Sequence, residues 1–319
     1  MTPQTSSGDL LADRRYGYGA ACLAEGDVAA AAEMAEQTLE RAPRFAPAWF
    51  LLGRAREAQH RAGGDEGAFH AALRAYANAL DLDPEDGQGA RLHLARMGEG
   101  AAMEAITPAY VRALFDGYAP RFERHLVDDL HYRGPSMLVA ALDRAAGAAA
   151  PFAVALDLGC GTGLVGEALG GRVAHLTGVD LSPGMLAHAE RAGRYRRLVA
   201  GDLRSFLATE PADAFDLVVS ADVFIYVGDL AAALCAIARV LRVGGYAAFT
   251  VQSPPGPGVE LGQDGRYAHG EGALSQAIAA AGLDLRLAEE AAIRRESDAD
   301  VPGRVVVLRR PDPGAASRP

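Results

Sequence analysis

The chain has 319 residues, 50% hydrophobic and 23% charged, with a formal net charge of -10, which is long enough for two domains that each bury a core. The acidic balance argues against a nucleic-acid partner, since phosphate neutralisation needs a basic face, and no run approaches the ~18 uncharged apolar residues of a membrane span. Cys22, Cys160 and Cys235 are too few and scattered for a disulfide framework or zinc site, which points to a reducing cytoplasm, and because all 31 basic residues are arginine no lysine can act as nucleophile or base.

The opening residues, MTPQTSSGDLLADRR, lack a basic start followed by an apolar core, so no secretory signal is expected there. Helical periodicity dominates residues 12 to 97, in two stretches that align with each other. In the first, Gly19, Ala31 and Pro43 fall where a roughly 34-residue tetratricopeptide repeat puts Gly, Ala and Pro. The second places Trp49, Leu52, Gly53, Ala72, Tyr76, Ala79 and Pro84 at matching offsets, with about seven extra residues around Gly63–Gly64. A further short helix near Ala90–Met97 would cap the stack. Residues 12–99 are therefore expected to form a tetratricopeptide-like module. It either holds a protein or peptide partner in its groove or serves as a packing element.

Residues 106–150 read as a collar of three short helices, with Pro120 and Pro135 in first turns where a missing N–H costs nothing. Leu126, Leu130, Leu138 and Leu142 mark its apolar faces, and Arg121, Arg124 and Arg133 a solvated one.

From Ala153 short apolar runs alternate with helices. The candidate strands are AVALDL, HLTGVD, YRRLVA, FDLVVSAD, YAAFTVQ, LDLRLAEEAAI and RVVVLRR. Such alternation predicts an α/β domain with a doubly wound, mostly parallel sheet and right-handed crossovers. The last two runs, joined by a turn at VPG, would add an antiparallel edge.

The first run ends in Asp157-Leu158-Gly159-Cys160-Gly161-Thr162-Gly163. Glycines here let the backbone approach a ligand, but Gly161-x-Gly163-x-x-Gly166 also fits a nicotinamide dinucleotide fingerprint. Three features separate the readings. Asp157, inside the strand, suits a cationic amino group and would repel a pyrophosphate. Asp180 ends the next strand, placed for ribose hydroxyls, and is followed by Leu181 and Met185, which suit a purine face. Asp202, in Gly201-Asp202-Leu203 after the third strand, could accept from an adenine amino group. Met185 reads equally well as a core residue.

In order and spacing, LDLGCGTG, VDLSPGML, GDL, FDLVVSADVFIYVGDL and LRVGGYAAFTV resemble the class I S-adenosylmethionine-dependent methyltransferases. With the upstream repeats and FDGYAPRFERHL, the chain is similar to the bacterial predicted methyltransferases that carry tetratricopeptide repeats. The resemblance implies a methyltransferase domain over residues 106–311 (collar 106–150, α/β core 151–311). It implies seven strands in the order 3-2-1-4-5-7-6 with the last antiparallel, and S-adenosylmethionine as cofactor, leaving as S-adenosylhomocysteine. Gly159 and Gly161 would then pass under the methionine part, with Asp157 facing its amino group. Asp180 would hold the ribose, Leu181 and Met185 the adenine face, and Asp202 the adenine edge, with Leu203 also among the cofactor-binding residues. Backbone at Ser220–Ala221 would bound the methionine moiety, and Tyr118 would close over it.

The acceptor side is less legible. SADVFIY after the fourth strand lacks the Asn/Asp-Pro-Pro-aromatic signature of methylation on amide or nucleobase amines, and Cys235, expected to be buried in a helix, has no Pro-Cys context for attack on a pyrimidine carbon. Asp222 reads as structural rather than as a metal ligand. The candidate general base is His269, on the glycine-rich stretch GQDGRYAHGEG, with His125 and His131 in reserve. Tyr226 either lines the acceptor pocket or packs under the helix that starts at Asp229. Three functions stay open: methylation of a small-molecule or carrier-bound acceptor at oxygen or nitrogen, methylation of a protein recruited by the repeats, or non-catalytic cofactor binding.

Overall fold

The computed structural model describes residues 4–118, 132–147, 151–296 and 299–312. They divide into two compact units between Tyr110 and Val111.

The first unit is a series of helices, α1 (Leu10–Glu25), α2 (Val28–Arg41), α3 (Ala46–Gly63), α4 (Glu66–Leu82) and α5 (Ala90–Arg96). Their ends are written in the sequence. Asp9, Asp27 and Asp65 accept N-terminal amide protons of α1, α2 and α4, and Gly26 and Gly64 close α1 and α3 in left-handed backbone. The core is unusually rich in alanine (Ala31, Ala35, Ala48, Ala55, Ala72), which lets helix axes come close. At Gly53 a Cβ would lie 2.6 Å from the Tyr76 ring. Tyr76 is fully buried, and its hydroxyl donates to Glu57 Oε2 at 2.6 Å. The extra residues predicted around Gly63–Gly64 do not form a long loop. They extend α3 and α4 to 18 and 17 residues across a two-residue connection.

Helix α6 (Pro108–Tyr118) runs across the Tyr110/Val111 division, and α7 (Gly134–Ala146) precedes the sheet of the second unit; the central part of the predicted collar, including Pro120, His125 and His131, lies outside the described residues. The strands are β1 (Phe152–Leu158), β2 (Val173–Asp180), β3 (Arg197–Ala200), β4 (Phe215–Ser220), β5 (Leu241–Gln252), β6 (Val259–Leu261), β7 (Tyr267–His269), β8 (Asp284–Glu296) and β9 (Ala299–Arg309). Helices α8 (Leu164–Leu169), α9 (Pro183–Ala192), α10 (Leu203–Thr209), α11 (Leu230–Val240) and α12 (Glu271–Ala281) follow β1, β2, β3, β4 and β7.

The first five strands pair in parallel in the order β3-β2-β1-β4-β5. β9 runs antiparallel beside β5, and β8 antiparallel beside β9. These seven strands have the expected order. The sheet nevertheless has nine strands, not seven. β6 and β7 form a hairpin around the glycine-rich stretch GQDGRYAHGEG, and it joins β5 in parallel at Gln252↔Ala268. Three residues are too few for a periodicity signal. The VPG segment is not a turn either: Val301, Pro302 and Gly303 lie inside β9, with Gly303 opposite Ala291 and Gln252. Cys235 is exposed on α11, contrary to expectation.

Buried side chains cover both faces of the sheet, Leu156, Leu158, Val218 and Phe249 on one, Ala155, Leu217, Val219 and Val307 on the other. A parallel sheet covered in this way opens its functional crevice at the carboxyl ends of its strands. Among the described residues no helix is long and apolar enough to cross a membrane.

Candidate active site

The carboxyl ends of β1 to β4 open into a cavity of about 560 Å³. Its floor is the turn after β1. Gly159 adopts φ +70° and Gly161 φ +54°, left-handed conformations that strain any residue with a Cβ, and a Cβ on Gly159 would lie 2.3 Å from Val223. The turn is pinned to β2, since the Gly159 and Cys160 amides donate to the Val179 carbonyl at 2.8 and 3.0 Å. Asp180 adds the third tie. Its Oδ2 accepts from the Gly161 amide at 2.9 Å and its Oδ1 from the Ser182 amide at 2.8 Å. Burial pushes the Asp180 carboxyl above its usual range, while these amide bonds oppose the shift. The roof on this side is α6. Its Asp116 accepts from the Ser182 hydroxyl at 2.5 Å, and its Arg112 donates to the Leu181 carbonyl at 3.2 Å.

Of the residues expected to hold the cofactor, Gly159, Gly161, Asp180, Leu181, Met185, Leu203 and Ala221 all line this cavity. Tyr118 ends α6, and its side chain lies outside the described atoms. Two expected contacts are not on the wall. Asp157 is fully buried beneath the glycine turn, where its Oδ2 accepts from the Tyr195 hydroxyl at 2.7 Å. Burial raises its pKa to about 7, against the hydrogen bond from Tyr195. A carboxyl sealed there supports the turn from below and does not itself reach an amino group in the cavity. Asp202 caps α10, its Oδ2 accepting from the Ser205 amide at 3.0 Å, while its neighbours Gly201 and Leu203 face the cavity.

The far end of the cavity lies against β4, β8 and the β6–β7 hairpin. Asp222 sits there in left-handed backbone, φ +57°, its amide donating to Thr250 Oγ1 at 2.8 Å. It is paired at 2.6 Å with Arg294, whose side chain is only 2% exposed and which also donates to Gln252 Oε1 at 3.1 Å. Arg266, Tyr132 and Tyr226 complete this end, and the Tyr226 ring meets Phe115 edge-on at 5.7 Å. Of the two readings for Tyr226, the structure gives the pocket wall.

His269 is the main correction. It is fully buried in β7, its Nε2 donating to the Phe224 carbonyl at 3.2 Å, and it is not part of the cavity wall. Burial pushes its imidazole below the ordinary range. It braces the 3-10 turn Phe224–Tyr226, which carries Tyr226 to the cavity. A proton on a substrate in the cavity is out of its reach.

Arg294, Tyr132 and Phe115 line the cavity and Tyr195 holds Asp157 beneath it, though no motif marks them. For Arg294 the cause is visible. A register shift between Ala292 and Arg295 interrupts the alternation of β8, so Ile293 and Arg294 are both buried in succession, and a bulge that re-aims a side chain leaves no period to read.

The lining suits an adenosyl sulfonium compound: a carboxylate for ribose hydroxyls, Met185 and Leu203 for a purine face, and a glycine turn free of side chains. Residues 156–249 match the model of a methyltransferase domain family. The chain is 38% identical to methyltransferase-like protein 27 of Homo sapiens over 106 residues, which are 33% of this chain and 43% of that protein. It is 33% identical to the malonyl-[acyl-carrier protein] O-methyltransferase of Paenibacillus sp. (strain JDR-2) over 106 residues, 31% of this chain and 38% of that one. The chain thus spans less than half the length of these curated relatives. The fold matches that of Burkholderia thailandensis 1,6-didemethyltoxoflavin-N1-methyltransferase with a TM-score of 0.50, at 22% identity, over 64% of this chain and 88% of that one. Residues 156–249 of the second unit thus match a methyltransferase domain, on a fold shared with an enzyme whose solved structure holds S-adenosylhomocysteine.

Proposed function

We propose that the protein transfers a methyl group from S-adenosylmethionine to an oxygen or nitrogen of a small-molecule or carrier-bound acceptor. One observation carries this reading: a single cavity joins the cofactor wall around Asp180 to a second end walled by Tyr132, Tyr226, Arg266 and Arg294. Its volume of about 560 Å³ is in the range of small-molecule sites. The malonyl-[acyl-carrier protein] O-methyltransferase among the relatives favours the carrier-bound form of the acceptor.

A sulfonium presents its methyl on a leaving group that is already activated. The chain's part is then to orient the two reactants, and holding a near-attack geometry can be worth effective molarities of ~10⁵ M or more. We assign Asp180 to the ribose, Leu181, Met185 and Leu203 to the adenine, and Gly159, Gly161 and Ala221 to the methionine part. Asp157 and Asp202 act through the turns they hold.

Residues 12–99 we read as a tetratricopeptide-like module. The paired helices α1/α2 and α3/α4, with Gly19 and Gly53 where a Cβ would crowd Met34 and Tyr76 of the partner helix, support this. The three cysteines are free thiols, which fits a reducing cytoplasm.

The test is a labelled-methyl assay with the purified full chain on a lysate from cells lacking the gene, small-molecule, carrier and bulk-protein fractions being counted separately. Label is expected in the first two. Label confined to bulk protein would replace this reading with a protein methyltransferase fed by the helical module.

A further inference from the structure

The outer side of α1 carries an apolar face. Leu10, Leu11, Arg14, Tyr18, Ala21 and Glu25 recur at spacings of three and four, which puts them on one side of the helix. All six are exposed, Leu10 at 81%, Leu11 at 44% and Tyr18 at 62%. Single surface leucines are ordinary, but two of them grouped with an aromatic ring on one helix face mark a contact surface.

The second helix pair shows what such a face does. Counted from Gly53 as Leu11, Arg14, Tyr18 and Ala21 are counted from Gly19, the corresponding residues are Phe45, Ala48, Leu52 and Ala55. Those four are buried in one cluster with Ala31, Ala35 and Leu39 of α2. The face is thus the one by which a helix pair of this unit stacks on the pair before it. Stacked helical units end in a polar face where they meet water, and α1 keeps leucine and tyrosine there instead.

Charge and position name the occupant. Among the described residues neither Arg14 nor Glu25 has an ion-pair partner. Glu25 ends α1 in a last turn that holds no basic residue, where a carboxylate opposes the helix dipole. In an antiparallel pair it lies toward the N-terminus of the other α1, the end that favours negative charge. The positions are also self-complementary. Arg14 with Glu25, and Tyr18 with Ala21, share one midpoint along α1, which is the condition a two-fold axis sets.

We infer that this face binds a second copy of the chain, α1 against α1, antiparallel about a two-fold axis. Tyr18 of each copy covers Ala21 of the other, and Arg14 pairs with Glu25 on either side of the axis. Leu10 and Leu11 extend the apolar contact at each end. One helix face per copy is at the small end of interface areas, so the dimer is expected to exchange with monomer at micromolar concentration.

Sedimentation velocity on the full chain across the micromolar range tests this, and the dimer fraction is expected to grow with concentration. Arg14→Glu and Glu25→Arg should each weaken the dimer at least ~tenfold. Combined, they should restore it to within ~threefold of the parent, because the pairs re-form with their signs exchanged. Tyr18→Glu should leave monomer only. None of these residues lines the cavity, so S-adenosylhomocysteine affinity should stay within ~twofold in every variant. Glu25→Arg, which suits the helix dipole, should not lower the melting temperature of the dilute monomer. A chain that stays monomeric throughout would overturn the proposal and leave the face to a different protein. So would a dimer indifferent to all three substitutions, whose interface lies elsewhere, or a double reversal that fails to recover, which would break the antiparallel pairing.

Discussion

Asp180 does three things with one side chain. It faces the cavity, accepts from the Gly161 amide, and accepts from the Ser182 amide at the entry to α9. Asp180→Ala should therefore weaken S-adenosylmethionine binding by roughly 2–3 kcal/mol, as expected for lost charge-assisted bonds of ~1.5–3 kcal/mol each that do not add fully. Calorimetry that found unchanged affinity would remove the ribose assignment. Asp157 makes a different prediction, because its carboxyl is sealed. Burial lifts its pKa from the ordinary 3.8 to about 7. A carboxyl raised on folding favours the folded state in its neutral form, so its contribution is full below about pH 4 and is lost as pH rises through about 7. The loss is on the order of a few kcal/mol. Asp157→Asn, which keeps an acceptor for Tyr195, should flatten the fall of melting temperature between pH 4 and pH 7 (the two limits set by those pKa values). A variant with the same slope as the parent would show that Asp157 does not titrate there. At this scale the sequence marks the residues that belong to a spaced motif, such as Gly159, Gly161 and Asp180. It does not mark what a side chain faces. The same residue type is exposed in one turn and sealed in another, and His269 shows this: its neighbours in a glycine-rich stretch suggest mobility, while the fold pairs them as β7.

Helices and their ends are the most legible elements, because their signals are local. An Asp before α1, α2 and α4, and a Gly after α1 and α3, fix boundaries through bonds within one turn of the chain. The small-residue pattern of the first unit also has a physical content that can be measured. Gly53 faces the Tyr76 ring at a distance no Cβ can occupy, 2.6 Å, and Tyr76 is held by Glu57. Gly53→Ala gains up to ~1 kcal/mol of helix propensity, but overpacking a tight core costs about 1–3 kcal/mol, and a ring tied at its hydroxyl cannot move aside. A net loss of stability is expected. Gly17, inside α1 with nothing near its Cβ position, is the control: Gly17→Ala should gain stability by up to ~1 kcal/mol. Thermal denaturation followed by circular dichroism separates the pair, and a destabilising Gly17→Ala together with a neutral Gly53→Ala would contradict the packing described. Elements set by pairing are less legible. The β6–β7 hairpin has three-residue strands, and the VPG segment of β9 lies where its partners β5 and β8 continue past it. Only the tertiary context tells such a segment from a turn.

For the molecule as a whole, strand order comes from connectivity that the sequence does show. Alternating strands and helices with right-handed crossovers leave few topologies, and the order β3-β2-β1-β4-β5 places the ends of β1, β2, β3 and β4 around one crevice. What the alternation cannot show is how the far end of that crevice is closed, because its wall is assembled from β8, the hairpin and α6, far apart in the chain. The described wall runs from Val111 to Arg294, wholly within the second unit. A chain that begins at Ile106 keeps α6 and every one of these residues. S-adenosylhomocysteine should therefore bind it with a dissociation constant within about twofold of the full chain, since a tenfold change would need ~1.4 kcal/mol of binding energy from outside the wall. Calorimetry on the two proteins measures this directly, and a loss of tenfold or more would mean that the helical unit completes the cofactor site. The same pair of proteins then locates the work of residues 12–99. If cofactor affinity survives and methyl transfer to a carrier-bound acceptor falls, the module recruits that acceptor. If both survive and only the melting temperature drops, it braces the fold.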